Sequence, residues 1–259
     1  DRDRRRPLSE MGGRGVFVRE LETALLRKEI DLAVHSLKDL PTQTPPSLVL
    51  AAFSEREEFR DALVSPRWGR PLAELPPGAS LGTGSPRRAA QLLAFRPDLK
   101  MVELRGNVDT RLRKAQDLDG IIVAAVGLER LGYQGSITQY LSSDVCLPAP
   151  GQGALAVEVR ADDDDMKTLV SAADHLPTRQ AVVAERAFLG ALGGGCQVPV
   201  GALGIVRGDS LHLEGVVAAP DGKRVLRSQT EGDARFPEEV GKRLAEARLS
   251  MGAGERIQR

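Results

Sequence analysis

Two kinds of feature in this 259-residue sequence could do chemistry: a cysteine beside a run of glycines, and clusters of cations placed after strand-like segments. Cys196 follows the glycines of LGGGCQVPVG. Ahead of it, residues 179–192 carry a helical pattern with Ala181, Val182, Ala184, Phe188 and Leu192 toward one face. Three glycines then stop the helix, because glycine tolerates positive φ and offers no side chain to pack. The thiol is expected on a bare loop that a bulky group can approach, which makes it a candidate covalent anchor. A buried, inert free thiol is the alternative for such a residue taken alone.

The cations sit at four successive junctions. HSLKDLP brings His35, Ser36, Lys38 and Asp39 directly after a strand at 30–34. In GTGSPRRAAQL, Ser85 suits an N-cap and Pro86 a first helical position, which puts Arg87 and Arg88 in the first turn with its free N–H groups. In LRGNVDTRLRK, Arg105 ends a strand and Arg111 lies about a turn beyond an Asn107 cap. GLERLG adds Arg130. Singly, each reads as a surface ion pair, and His35 as a satisfied strand-end histidine. Jointly, at strand ends where open α/β sheets bind ligands, they describe a cleft for a polyanion bearing several carboxylates or phosphates. Asp39 would stay ionised among these cations and could hold developing positive charge. Gln152, in LPAPGQGALAVEVR, could reach the ligand or belong to a structural crossing.

The elements that must position these groups follow from periodicity. A helix is expected over 16–28 and a strand over 30–34, then an apolar run at 48–53 and a charged crossing at 54–61. Strand–helix pairs follow at 80–81 and 86–95, 101–104 and 108–116, and 121–125 and 128–131. This alternation predicts a mostly parallel sheet with helices on its faces. A strand at 154–159 precedes the 178–192 helix. Segments 198–206, 211–218 and 224–229, joined by RGDS and PDGK turns, then read as antiparallel strands before a helix at 237–249. The acidic run at 162–165 reads as a solvated helix start or loop; a metal role would need carboxylates converging from elsewhere.

Composition excludes several classes. Lys plus Arg and Asp plus Glu both number 36, so no global basic field for nucleic acid exists. Two distant cysteines without CxxC spacing argue against a thiolate zinc site or a disulfide scaffold, and suggest a reducing, cytoplasmic setting. No apolar run approaches the ~20 residues that span a bilayer. The opening DRDRRRPLSEMGGRG reads as a loop, and the chain is expected to begin inside a larger fold.

In order, VHSLKDLPT, GTGSPRRAAQL, RGNVDTRLRK, GLERLG, PAPGQGALAVEVR, AERAFL and GGGCQVPVG strongly resemble the porphobilinogen deaminase (hydroxymethylbilane synthase) family. The match runs over nearly the whole chain. The resemblance implies two α/β domains like those of periplasmic binding proteins, the first incomplete, with a cleft between them. It also implies a C-terminal α+β domain with a three-stranded antiparallel sheet. Domain 1 would take residues 1–54 plus 154–173, domain 2 residues 55–150, and domain 3 residues 176–259. Members join four porphobilinogen molecules head to tail, release ammonia at each addition, and free the linear tetrapyrrole by hydrolysis. Their primer is a dipyrromethane cofactor in thioether linkage to the loop cysteine, here Cys196. Asp39 matches the catalytic aspartate. Ser36, Lys38, Thr83, Ser85, Arg87, Arg88, Arg105 and Gly106 match cofactor-binding positions, and Arg111, Arg130 and Gln152 substrate-binding ones. Gly84 and Pro86 depart from the family's GTSSLRR form without removing a carboxylate-binding side chain.

The resemblance further implies a monomer with porphobilinogen as partner, and a strand–helix–strand unit of ~30 residues ahead of Asp1. Two other readings remain: a non-enzymatic polyanion- or solute-binding module of similar architecture, or an inactive truncated product. Covalent chemistry separates them. Peptide mass spectrometry should find a two-ring adduct on Cys196 and none on Cys146, and an adduct on Cys146 would overturn the assignment.

Overall fold

The computed structural model describes residues 15–193 and 199–249, so Cys196 lies outside the described residues. Helix α1 (Gly15–Leu26) precedes strands β1 (Ala33–Ser36) and β2 (Leu48–Phe53). Next come β3 (Asp61–Val64), β4 (Ser80–Thr83), α2 (Pro86–Phe95), β5 (Lys100–Glu103), α3 (Val108–Lys114), β6 (Gly120–Ala124), α4 (Ala125–Glu129) and β7 (Gln139–Tyr140). The chain then forms β8 (Leu155–Arg160), α5 (Asp164–Val170), α6 (Leu176–Ala191), β9 (Val200–Arg207), β10 (Ser210–Ala218), β11 (Val225–Asp233) and α7 (Pro237–Leu249).

These strands make three sheets. The first has the order β1-β8-β2, with β8 antiparallel to both neighbours. The second has the order β5-β4-β6-β3-β7. The third, β11-β10-β9, is antiparallel throughout. The fold is mixed α/β, with the expected three-stranded antiparallel sheet at its C-terminal end.

The second sheet is mostly parallel as expected, with one strand, β3, reversed. β4 pairs in parallel with β5 and β6, but β3 runs antiparallel to β6 and β7. No crossover helix precedes β3; the chain enters it from β2 through the short segment 54–60, so nothing forces the parallel direction. The consequence is functional. The first residue of β3, Asp61, lies opposite Ala124, the last residue of β6. An acid at the start of β3 thus shares an edge with the carboxyl ends of β4 and β6, where ligands bind in such sheets.

Boundaries move elsewhere too. The strand expected at 30–34 is β1 at Ala33–Ser36, which takes His35 and Ser36 into the sheet and leaves Leu37–Asp39 as a 3-10 turn. The short helix expected at 128–131 is α4, which begins directly at the end of β6. The acidic run starts α5, where Asp163 caps by accepting from the Met166 N–H.

Each sheet has an apolar core. Leu63, Leu72, Leu81, Leu92, Ile122 and Leu141 pack on one face of the second sheet, and Ile121, Val123 and Leu128 on the other. In the third unit, α6 and α7 close over the sheet around Phe188, Leu211, Leu213 and Leu244. Each such fully buried side chain contributes about 1.5–3 kcal/mol.

The three units are joined through two crossings that run side by side: Ser54 N–H donates to Leu155 O (3.0 Å) and Glu57 N–H to Gly153 O (3.1 Å). Glu185 of α6 is fully buried and gathers both. Its carboxylate accepts from Arg56 Nη1 on the first crossing (2.5 Å), Gly151 N–H on the second (2.6 Å) and Gly204 N–H of β9 (2.7 Å). Gly151 has φ of +76°, and a Cβ there would stand 2.7 Å from Leu37 Cγ, so the crossing needs glycine to seat the 3-10 turn. Glu185→Ala should leave Arg56 buried beside a void and cost about 3–5 kcal/mol. Denaturant unfolding measures this, and parental stability would remove Glu185 as the joint.

Candidate functional site

The site grows from the turn after β1, the start of β3, the loop from β4 into α2, and the second crossing. Leu37 is buried, and its N–H donates to Ala154 O (3.1 Å), which fixes the 3-10 turn on the second crossing. Lys38 and Asp39 on that turn are half-buried, and Ser36 is exposed.

Asp61 is the centre. It is 0% exposed, while Arg87 and Arg88 are 3% and 6% exposed. Arg87 Nη1 donates to Asp61 Oδ2 (2.8 Å); Arg88 donates to Oδ1 through Nε (2.9 Å) and Nη2 (2.8 Å). Burial alone would raise the Asp61 pKa, but the two guanidinium groups outweigh it and hold the carboxyl well below the usual range. Arg87 also donates to Leu147 O (2.6 Å), and Gln91 amide groups bracket the same residue through Leu147 O (3.1 Å) and Leu147 N–H (2.9 Å). The sequence pattern places both arginines on an open first helical turn. The structure corrects that placement: they point inward, because Asp61 starts the neighbouring antiparallel strand.

Gln152 is fully buried. Its Nε2 donates to Phe59 O (2.7 Å) and Asp61 Oδ1 (2.9 Å), and its Oε1 accepts from Lys38 Nζ (3.3 Å). Lys38, Gln152, Asp61, Arg87 and Arg88 therefore form one network from the first sheet to the second. The Lys38 pKa is lowered to about 8, first by burial and then by the Arg88 charge, against the opposing pull of Asp39 and Asp61.

Other residues singled out from the sequence make contacts of their own. Thr83 is buried, and its Oγ1 accepts from the Ser85 N–H (3.2 Å). Ser85 holds the N-cap position of α2 without a side-chain capping bond. Asn107 does cap α3, accepting from the Thr110 N–H (2.9 Å). Arg105 is exposed and pairs with Glu103 (2.7 Å). Arg111 donates to the carbonyl of Gly106, whose φ is +127° (2.8 Å). Arg130 pairs with Glu57 on the first crossing (2.9 Å).

Three important residues escaped sequence reading: Asp61, Arg56 and Glu185. The sequence signal for the first was a single acid at the head of the apolar run DALV. Cys146, read from sequence as structural, is buried with its thiol 3.3 Å from Asp61 Oδ2. Burial and the Asp61 charge push its pKa up to about 12, which leaves it protonated and poorly nucleophilic. His35 is a buried strand residue whose Nε2 meets Glu158 Oε2 at 2.9 Å.

The donor set suits a group bearing carboxylates. Lys38, Arg87 and Arg88 converge around Asp61, with Asp39 alongside, so cations are in excess. Arg87 Nε is buried with no hydrogen-bond partner among the described residues, an orphan donor that a carboxylate would satisfy.

A family model described as "Porphobilinogen deaminase, dipyromethane cofactor binding domain" matches residues 1–168, and one described as "Porphobilinogen deaminase, C-terminal domain" matches residues 179–250. The chain belongs to the porphobilinogen deaminase family. A porphobilinogen deaminase of Pelotomaculum thermopropionicum is 56% identical over 97% of this chain and 81% of its own length. One from Carboxydothermus hydrogenoformans is 53% identical over 95% of this chain and 79% of its own. Among solved structures, a periplasmic binding protein of Salmonella typhimurium aligns at 17% identity over 58% of this chain and 67% of its own, with a TM-score of 0.34. No helix among the described residues is long and apolar enough to cross a membrane. Family membership makes dipyrromethane the cofactor, and its acidic side chains are the kind of group the orphan Arg87 donor and the cation excess accommodate.

Asp61→Asn keeps the shape of the centre and removes its charge. Two buried guanidinium groups then lack their counter-ion, which should cost about 3–5 kcal/mol. The folded pKa of Asp61 is depressed, so its contribution is present above the unfolded value of ~3.9 and is lost as pH falls toward the folded one. Unfolding curves of both proteins should thus differ at neutral pH and converge on acidification; equal stability at neutral pH would show that Asp61 does not hold the cluster.

Proposed function

We propose that this chain acts as a hydroxymethylbilane synthase, a transferase of tetrapyrrole biosynthesis that condenses porphobilinogen head to tail with loss of ammonia. The observation that supports this reading best is the buried network of Lys38, Gln152, Arg87 and Arg88 around Asp61, with Asp39 on the adjoining turn, in a chain of this family. Each porphobilinogen brings acetate and propionate groups, so the growing chain is a polyanion. A net-neutral protein with cations concentrated at one sheet edge can bind it without a general affinity for anions.

When bound through Cys196, the dipyrromethane supplies a pyrrole carbon to which the first substrate is joined. Ser36, Lys38, Thr83, Ser85, Arg87, Arg88, Arg105 and Gly106 are proposed to hold its carboxylates. Arg111 and Arg130 are proposed on the substrate side, and Gln152, fully buried, is proposed to act there through the groups its amide contacts. Of these, Arg105 is exposed and Arg111 half-buried, whereas Arg87 and Arg88 are buried and preset by Asp61. Charge-assisted contacts of this kind contribute roughly 1.5–3 kcal/mol each.

Asp39 takes the catalytic role. Loss of ammonia develops positive charge on the substrate pyrrole, and an anionic carboxylate held on a fixed turn stabilises that charge without reorganising. Lys38 and the arginines bind the acidic side chains beside that carboxylate. The division into 1–54 with 154–173, 55–150 and 176–259 places the cleft between the first two units. A cytoplasmic monomer completes the proposal.

Asp39→Asn is nearly isosteric and should lower turnover of porphobilinogen about a hundredfold to a thousandfold. Its melting curve and the mass of its covalent adduct should stay parental. Near-parental turnover in that variant would remove Asp39 from the catalytic role.

A further inference from the structure

Gln152 makes more contacts than a loop residue needs. Phe59 O and Asp61 Oδ1 can only accept, so they must face the NH2 end of its amide. That leaves Oε1 aimed at Lys38, 3.3 Å from Nζ. The amide orientation is therefore set by chemistry on both sides. Both NH2 hydrogens are engaged, and the side chain is fully buried. The backbone is fixed as well: Arg56 Nε donates to Gln152 O (2.9 Å), and the preceding Gly151 N–H is held by Glu185 (2.6 Å). Such a residue is poorly suited to reach out for substrate. It is well suited to hold two charged groups at a set separation.

We propose that Gln152 is a positioning residue, whose amide stands between the Lys38 ammonium and the Asp61 carboxylate and so keeps Lys38 directed at an anionic ligand. This rests on the reading that Lys38 faces the carboxylates of the cofactor. Asp61 Oδ1 already accepts from Arg88 and from Gln152. If the amide is removed, a lone pair on Oδ1 opens, and the nearest flexible cation on the first unit is Lys38. The ammonium then collapses onto Asp61 and leaves the ligand side. Arg87 and Arg88, each held by three polar contacts of its own, stay where they are.

The charged groups around Lys38 are Asp39 on its own turn, Asp61 on β3, and Arg87 and Arg88 on α2. Of these, only access to Asp61 changes when Gln152 is replaced. Lys38 starts from a pKa of about 8. Direct pairing with a carboxylate raises it toward the ordinary lysine value of ~10.4.

The test is competitive acylation of the full chain with acetic anhydride across a pH series, with Lys38 read by peptide mass spectrometry. The parent, Gln152→Met and Gln152→Asn are compared, each first shown to melt cooperatively. Met has similar length and no polar hydrogens. Asn keeps an amide but is one methylene too short to span both partners, and it is the milder change should Met fail to fold. The half-reaction pH of Lys38 should rise by about one to two units in Gln152→Met, and by less in Gln152→Asn. Intact mass should show a several-fold drop in the cofactor-loaded fraction of both. An unmoved Lys38 in a folded variant overturns the proposal and leaves the family reading intact. A raised Lys38 with full loading upholds the spacing role but overturns the reading that Lys38 faces the cofactor.

Discussion

A single buried carboxylate sets the electrostatics of this cleft. Asp61 draws two guanidinium groups into a region that would otherwise exclude them. Isolated, either arginine would face a desolvation cost of several kcal/mol. Together with Asp61 they carry one net positive charge, and Lys38 adds a second when protonated. The cluster is thus only partly neutralised from within and keeps a net positive charge. Because the positive groups are fixed beforehand, little reorganisation accompanies binding.

This arrangement depends on the crossings. Asp61 belongs to the second sheet and Lys38 to the turn after the first, and Gln152 links them from the returning strand of chain. Glu185 holds that returning segment and the outgoing one against the third unit. Arg130 and Glu57 add an exposed contact between α4 and the first crossing. The buried contacts at Glu185 are the stable part of the joint. The exposed pair is screened by salt and contributes little to stability.

Much of this was legible in the sequence, for physical reasons that differ by element. The α2 start at Ser85–Pro86, the α3 cap at Asn107 and the α7 start at Pro237 were readable because caps are local chemistry. The C-terminal hairpins were readable from their turns. The direction of β3 was not, since strand direction depends on where the chain comes from rather than on its own residues. Asp61 was missed for the same reason: its importance arises from Arg87 and Arg88, which are 26 and 27 residues away. Cap position and the free N–H groups of the first turn point those arginines to an anion, but their inward turn depends on β3. Cys196 is legible only through its glycine context and the family resemblance, and it lies outside the described residues.

The first sheet carries a consequence for how the molecule is made. Its central strand, β8, joins β1 and β2 only after more than a hundred residues of intervening chain, with Val34 paired to Val157. The second sheet uses only strands from Asp61 to Tyr140, all contiguous in sequence. During synthesis from the N-terminus, the second sheet can therefore close while the first still waits for its middle. The turn that carries Lys38 and Asp39, which leans on the crossing just before β8, takes shape late, after the arginine cluster already exists. Closure across such a long sequence separation is intrinsically slow, and the early-folded second unit shortens the effective loop that β8 has to close.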